Sequence, residues 1–469
     1  MNRIILVLSA VLIAVCLFAV GGDAGDAPKD WPSWRGPNYN GVVAQADPPI
    51  EWSETANLGW KVELPGPGHA TPVVWGDRIY VLSAVRTDKT VSRSDSDLPR
   101  VLPASLQQQP PQAEQQQPKD SPPQRRGSRP PREKPTHVYK FVVSAHDRGT
   151  GKTVWQTVVR EEVPHESGHQ TASQASVSPV TDGEYIWASF GSRGLYCLDK
   201  NGKVVWEKDL GAMQTRNEFG EGSSPALHGD TLVQNWDHEG DSFIVALDKR
   251  TGEQRWKVPR DEPTSWSTPL VIEDDGRALV VVSASNRVRA YDLKTGAVVW
   301  NCGGLGLNCI PTPVEHEGML WVMSGYREAA GMAIRYAGAK GDISDTDRVV
   351  WKTDRGLSYV PSPALYDGKL YFFQRFSNVL SCYDLKTGKA HYTEQRVEGV
   401  GNIYASPVGA GGRIYVLDRE GSAAVFRHGE TFELLANNKL DDAFDASPVI
   451  VGDEIFLRGH RYLYKVARD

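Results

Sequence analysis

No long block of one charge runs through these 469 residues, and the formal net charge is only -6. That excludes the basic face of a nucleic-acid-binding protein and singles out no other class of partner. Beyond the N-terminus, no segment approaches the roughly 20 apolar residues that a membrane-spanning helix needs. The five cysteines are scattered, and no two are adjacent. Helical apolar periodicity is also missing around the one string that spells a metal site, His165-Glu166-Ser167-Gly168-His169. A zinc protease needs both histidines one helical turn apart on one face. Pro164 and Gly168 deny that setting, so His165 and His169 are expected on a loop.

Glycine, proline, tryptophan and tyrosine are plentiful, which suits a large all-β protein with many turns. The N-terminus reads as a secretory signal: Arg3, then the apolar run IILVLSAVLIAVCLFAV, then small residues with a cleavage point after Ala24. An uncleaved anchor is the alternative. A lipoprotein reading through Cys16 is weakened by the bulky Val15 before it and the apolar run beyond it. The expectation is an exported protein, periplasmic or secreted, with no membrane span after cleavage.

A Ser/Thr-Pro dipeptide opening a β-rich segment recurs eight times, with prolines at 72, 179, 225, 269, 313, 363, 407 and 448. The spacings lie between 41 and 50 except the first, which is 107. A D-x-x-T-G turn ending in an aromatic strand follows at a fixed offset, as in LDKRTGEQRW and YDLKTGAVVW; copies five and seven are degraded. Each unit reads as strand, turn, strand, loop, strand, turn, strand, which is one propeller blade. Copy eight stops without its fourth strand, while an orphan strand, residues 58–65, precedes copy one. These observations predict an all-β, eight-bladed β-propeller of four-stranded antiparallel blades over 58–469, closed by that N-terminal strand pairing with the last blade. A lead-in segment, 25–57, precedes it. Residues 88–136 are an insertion in blade one, rich in Gln, Pro and Arg and too poor in large apolar residues to fold. A tolerated disordered loop and an arginine-based attachment to a cell wall or partner are its two readings.

The D-x-x-T-G-x-x-x-W hairpins and Ser/Thr-Pro strand starts resemble the pyrroloquinoline quinone (PQQ) repeat. The chain is similar to the PQQ-binding-like propellers of the quinoprotein alcohol dehydrogenase-like superfamily. WPSWRGPNYNG, GEGSSPALHGDTLVQNW and DEPTSWSTPL are similar to exported propellers common in planctomycete-type bacteria. The resemblance covers nearly all of the chain after the signal, apart from the insertion. It implies one of two kinds of relative, quinoprotein dehydrogenases or non-catalytic BamB-type outer-membrane assembly lipoproteins. The dehydrogenases hold the quinone between a tryptophan and a ring of two adjacent cysteines, with calcium on a Glu/Asn/Asp set and an aspartate base. This chain has no adjacent cysteines and is shorter than those enzymes. The resemblance therefore implies a non-catalytic binding or scaffold module of the cell envelope. A divergent PQQ-dependent dehydrogenase oxidising an alcohol or sugar, with PQQ and calcium as cofactors, is the alternative.

Trp60, Trp155, Trp206, Trp256, Trp300 and Trp351 are expected to pack between blades. The diversified loops between strands two and three, and between blades, share one face, where a propeller usually binds. That face should present His165, His169, Glu221, Asp237, His238, Glu239, Trp266, Arg287, Asn308, Tyr359, Arg375 and Asp445, together with Tyr326, Arg419 and His460. Glu221, Trp266, Asn308, Tyr359 and Asp445, just before a Ser/Thr-Pro, should lie nearest the channel. His238, Glu239 and Asp241 could hold a cation, or form an ordinary polar loop. Cys302 and Cys309 flank one loop, where a disulfide is open in an exported protein; Cys197 and Cys382 sit where other copies have alanine. The partner expected at the loop face is an envelope protein or a small molecule, and the chain is expected to be monomeric.

Overall fold

The computed structural model describes residues 29–91 and 134–469; the signal segment and most of the insertion lie outside them. Eight antiparallel sheets, each with a four-stranded core, follow one another round a ring. The first strand of each blade begins directly after its Ser/Thr-Pro, from Val73–Trp75 in blade one to Val449–Val451 in blade eight. These two strands touch, which closes the ring. Leu58–Glu63 pairs antiparallel with Tyr462–Val466 and supplies the missing fourth strand of blade eight. The closure leaves no blade short of a strand, which limits the open edges that invite aggregation.

The Ser/Thr-Pro repeat has a physical reason. At seven of the eight steps the backbone N–H of this Ser or Thr donates to the hydroxyl of the equivalent residue in the next blade. The bonds run Thr71 to Ser178 (2.9 Å), Ser178 to Ser224 and Ser224 to Thr268 (3.0 Å each), then Thr312 to Ser362 (3.0 Å), Ser362 to Ser406 (2.9 Å), Ser406 to Ser447 and Ser447 back to Thr71 (3.0 Å each). The remaining step is made the other way, by the Thr312 hydroxyl donating to the Thr268 carbonyl at 2.8 Å. Proline, which has no N–H to satisfy, is tolerated at the start of the strand that faces the channel.

The tryptophans join the blades further out. In the fourth strand a β-bulge falls beside the tryptophan, and a small residue stands directly across from it: Ala145 for Trp155, Cys197 for Trp206, Ala246 for Trp256. The bulge re-aims the indole toward the next blade. Its Nε1 then donates to a carbonyl of that blade's turn: Trp60 to Arg148, Trp155 to Lys200, Trp206 to Lys249, Trp256 to Leu293 and Trp351 to Leu385. The turn glycine lies flat on the ring. At Gly202 (φ 83°) an added Cβ would stand 2.6 Å from the Trp155 indole, so the turn needs glycine for both conformation and space. Trp300 departs from this pattern. Blade five lacks the turn, and Trp300 instead packs wholly buried among Tyr336, Ala339 and Ile343 with its Nε1 unpartnered.

The hairpin that carries the insertion stays paired out to Thr90 and His137, so strand extends inside the expected bounds of 88–136. Cys302 and Cys309 are separate buried thiols, not a disulfide. Cys302 is a core position opposite Val288, and Cys309 Sγ faces the Gly306 carbonyl at 3.7 Å. Among the described residues no helix is long and apolar enough to cross a membrane.

Candidate functional site

The lead-in segment enters the ring. Trp31 bridges to Val74, the Pro32 carbonyl accepts from Thr181 N–H (2.9 Å), and Val42–Val43 runs parallel to Val408–Ala410 in blade seven. Between them Arg35 is buried in the channel, its Nη2 donating to the carbonyls of Pro363 (2.8 Å) and Pro407 (3.1 Å). Trp34 lies beside the hydroxyl ring, its Nε1 3.3 Å from Ser447 Oγ. The channel is thus closed from the turn face, and what remains is a pocket on the loop face.

That pocket measures about 410 Å³, within the range of small-molecule sites. All eight blades contribute to its wall. His69, Ser176, Glu221, Trp266, Ile310, Tyr359, Tyr404 and Asp445 represent them in order, and Trp34 joins them. The wall is aromatic: Trp266 beside Phe219, Phe219 edge-on to His169 (4.9 Å), and Tyr326 stacked on Tyr359 (5.0 Å). Among the described residues no lysine or arginine lines it, and Arg419 stands behind Asp445 and Tyr404.

Two acidic centres reach the pocket. Glu221 accepts from Ser192 N–H at 2.7 Å and from the Ser192 hydroxyl. Gly191 permits this approach, since any Cβ there would collide with the carboxylate. Burial raises the Glu221 pKa to about 7 against those hydrogen bonds, and the neighbouring Glu166 carboxylate adds to the rise. A carboxyl group with a folded pKa above its unfolded 4.5 favours the folded state when protonated. Its contribution is therefore complete below about pH 4.5 and is lost as pH rises toward 7. Glu221→Gln should flatten the fall in melting temperature between those values, with Glu166, also raised by burial, leaving a residual slope in the same sense. Melting curves of both proteins from pH 4.5 to 8 check this.

The second centre joins blades one and eight. Asp445 Oδ2 lies 2.7 Å from His460 Nε2 and 3.4 Å from His69 Nε2, and the two imidazoles stack with centroids 5.1 Å apart. Arg419 Nε is 2.8 Å from Asp445 Oδ1, but the geometry is off-line and neither atom has a hydrogen bond. Burial would raise the Asp445 carboxyl, but His460, His69 and Arg419 together hold it low. Burial brings the His69 pKa down to about 4, against the pull of Asp445.

Among the sequence-predicted residues, His169, Glu221, Trp266, Tyr359 and Asp445 line this pocket. Asn308 stands one layer back, donating to the Tyr359 hydroxyl at 3.1 Å. His165 lies beside a small separate cavity with Glu166 and Ser192. Asp237, His238 and Glu239 are turned inward. Asp237 is fully buried against Arg260, His238 Nδ1 accepts from the Gln214 and Gly240 N–H groups, and Glu239 accepts from Thr264. Their polar atoms are spent on loop structure, not on a cation. Arg287 is bound outward to Asp342 and Asn301, and Arg375 is exposed outside the pocket. Sequence reasoning missed Trp34 and His69. A signal for His69 existed, because it stands three residues before its proline, as Trp266 and Asp445 do.

Comparisons with known proteins repeat the two-sided resemblance. A family model described as "Outer membrane protein assembly factor BamB" matches residues 140–303. This chain is an eight-bladed β-propeller that resembles the PQQ-repeat proteins. The propeller is 21% identical to outer membrane protein assembly factor BamB of Yersinia pestis over 335 residues, 68% of this chain and 78% of that one. It is 29% identical over 150 residues to methanol dehydrogenase [cytochrome c] subunit 1 of Methylobacterium organophilum, but that match spans only 27% of this chain and 23% of the enzyme. A europium-containing methanol dehydrogenase shares the fold with a TM-score of 0.58 at 12% identity, covering 92% of this chain and 91% of its own.

The quinone and calcium that the resemblance implies do not fit this pocket. PQQ carries three carboxylates, whereas the wall offers two carboxylates of its own and, among the described residues, no lysine or arginine. Calcium takes six to eight oxygens. Among the described residues, the group of His, Cys, Asp or Glu close enough to hold an ion is His69, Asp445 and His460, a nitrogen-rich set.

Proposed function

We propose that this propeller is a non-catalytic binding module of the cell envelope that takes a small ligand, or a side chain of an envelope partner, in its central pocket. The observation that carries the reading is the wall itself: aromatic rings from several blades, two carboxylates and, among the described residues, no lysine or arginine. Such a wall favours neutral or cationic groups with flat apolar faces over a polyanion. The likeness to BamB supports an envelope setting and a protein partner. The dehydrogenase likeness keeps a second reading in the test, oxidation of an alcohol or sugar with PQQ and calcium.

The experiment sets neutral saccharides and aromatic amines against PQQ with calcium, using calorimetry and tryptophan fluorescence, alongside an envelope pull-down. The expected result is saturable binding in the first group, weakened more than about tenfold by Trp266→Ala, the size of loss typical for a buried tryptophan anchor. Stoichiometric PQQ uptake with dye-linked turnover would overturn the proposal.

A further inference from the structure

We propose that His69, Asp445 and His460 form a site for a divalent transition-metal ion of the zinc type, set in the wall of the central pocket. Ring closure makes neighbours of residues that are nearly 400 positions apart in the chain, and two imidazoles from different blades face one carboxylate oxygen. The three ligand atoms lie within 4.8 Å of one another. Donors about 2.1 Å from a tetrahedral ion stand about 3.4 Å from each other. The His69–Asp445 edge, at 3.4 Å, already has that length. The His460–Asp445 edge, at 2.7 Å, has only to open by a fraction of an ångström.

Hydrogen bonding alone leaves this arrangement half explained. His460 takes the bond to Oδ2, and His69 is left facing the same oxygen from farther away. The Asp445 side chain is only 4% exposed, and its Oδ1 is turned toward Arg419, so Oδ2 is the oxygen that both imidazoles face. Two imidazoles and one monodentate carboxylate suit zinc and its neighbours, not calcium or magnesium. Three protein ligands leave a coordination position open. His69 and Asp445 both line the pocket, so that position faces it, where water or an oxygen of a ligand would bind. Arg419 opposes added positive charge, which makes this an exchangeable site and not a structural one. The three protein ligands are in place whichever occupant the pocket takes.

The test uses untagged protein, stripped with chelator, and titrates it with Zn²⁺ by calorimetry and with Co²⁺ by visible absorption. One ion per chain, tetrahedral Co²⁺ bands and a zinc-dependent rise in melting temperature are expected. His69→Ala and His460→Gln should each weaken binding by more than about 100-fold, beyond the loss typical of an outer-shell change. A double change of His165 and His169 to alanine should leave binding intact. Lack of stoichiometric binding in the folded wild-type protein overturns the proposal, as does binding that depends on His165 and His169 instead. The Co²⁺ spectrum needs no substitution, so a variant that misfolds does not remove the test.

Discussion

Asp237→Ala is expected to destabilise the propeller by about 3–5 kcal/mol, the usual cost of removing one partner of a buried ion pair. Asp237 and Arg260 are both 0% exposed, with Oδ1 2.6 Å from Nε and Oδ2 3.0 Å from Nη2. The carboxylate also accepts from the Ser265 hydroxyl at 2.6 Å and from Asn235 Nδ2 at 3.1 Å, and Arg260 continues to the Tyr291 hydroxyl at 2.5 Å. Removing the carboxylate strands a guanidinium that water cannot reach. Removing both charges at once, as Asp237→Leu with Arg260→Met, should recover much of the loss, because well-packed apolar replacements of a buried pair are often neutral. Urea unfolding of the single and double variants measures both. A single variant within about 0.5 kcal/mol of wild type, the range of an ordinary surface change, would return Asp237 to the solvated loop on which the sequence pattern placed it.

That misplacement marks the boundary of what the sequence makes legible. The repeat exposes every position that recurs, because a recurring contact leaves a recurring residue. Ser/Thr-Pro encodes the ring of hydroxyl bonds, the tryptophan and turn glycine encode the dock between blades, and the orphan strand around Trp60 encodes closure. Asp237, His238 and Glu239 occur once, and their partners, Arg260 and Thr264, lie in the next loop and outside any period. Composition alone cannot tell a polar loop facing solvent from one folded over its own ion pair. The channel is harder still. Arg35 bonds to carbonyls more than 300 residues away, and a segment with no counterpart in any blade has no register from which its depth could be read. The pocket wall falls between these cases. A place three or four residues before the proline puts Glu221, Trp266, Tyr359 and Asp445 at the channel mouth, and His69, three before its own proline, shares it across the closure from blade eight.

Trp300 shows that a repeated residue can keep its place while losing its reason, and its replacement is the second large expected effect. Trp300→Ala should cost about 3–5 kcal/mol, as for other buried tryptophans and phenylalanines cut to alanine. The side chain is 0% exposed, and the cavity left between blades four and five would be bounded by Tyr336, Ala339 and Ile343. The phenylalanine variants separate packing from hydrogen bonding. Trp256 donates to the Leu293 carbonyl at 2.8 Å, so Trp256→Phe loses ring volume and a bond. Trp300 Nε1 has no partner, so Trp300→Phe loses ring volume but also relieves a buried N–H of a desolvation cost of about 1–3 kcal/mol. Trp300→Phe should therefore be the milder of the two, although Trp300 is the more deeply buried residue. Denaturant midpoints of the two phenylalanine variants give the order directly. The reverse order would mean that a buried water satisfies the Trp300 indole, and that blade five has replaced the missing turn carbonyl with solvent.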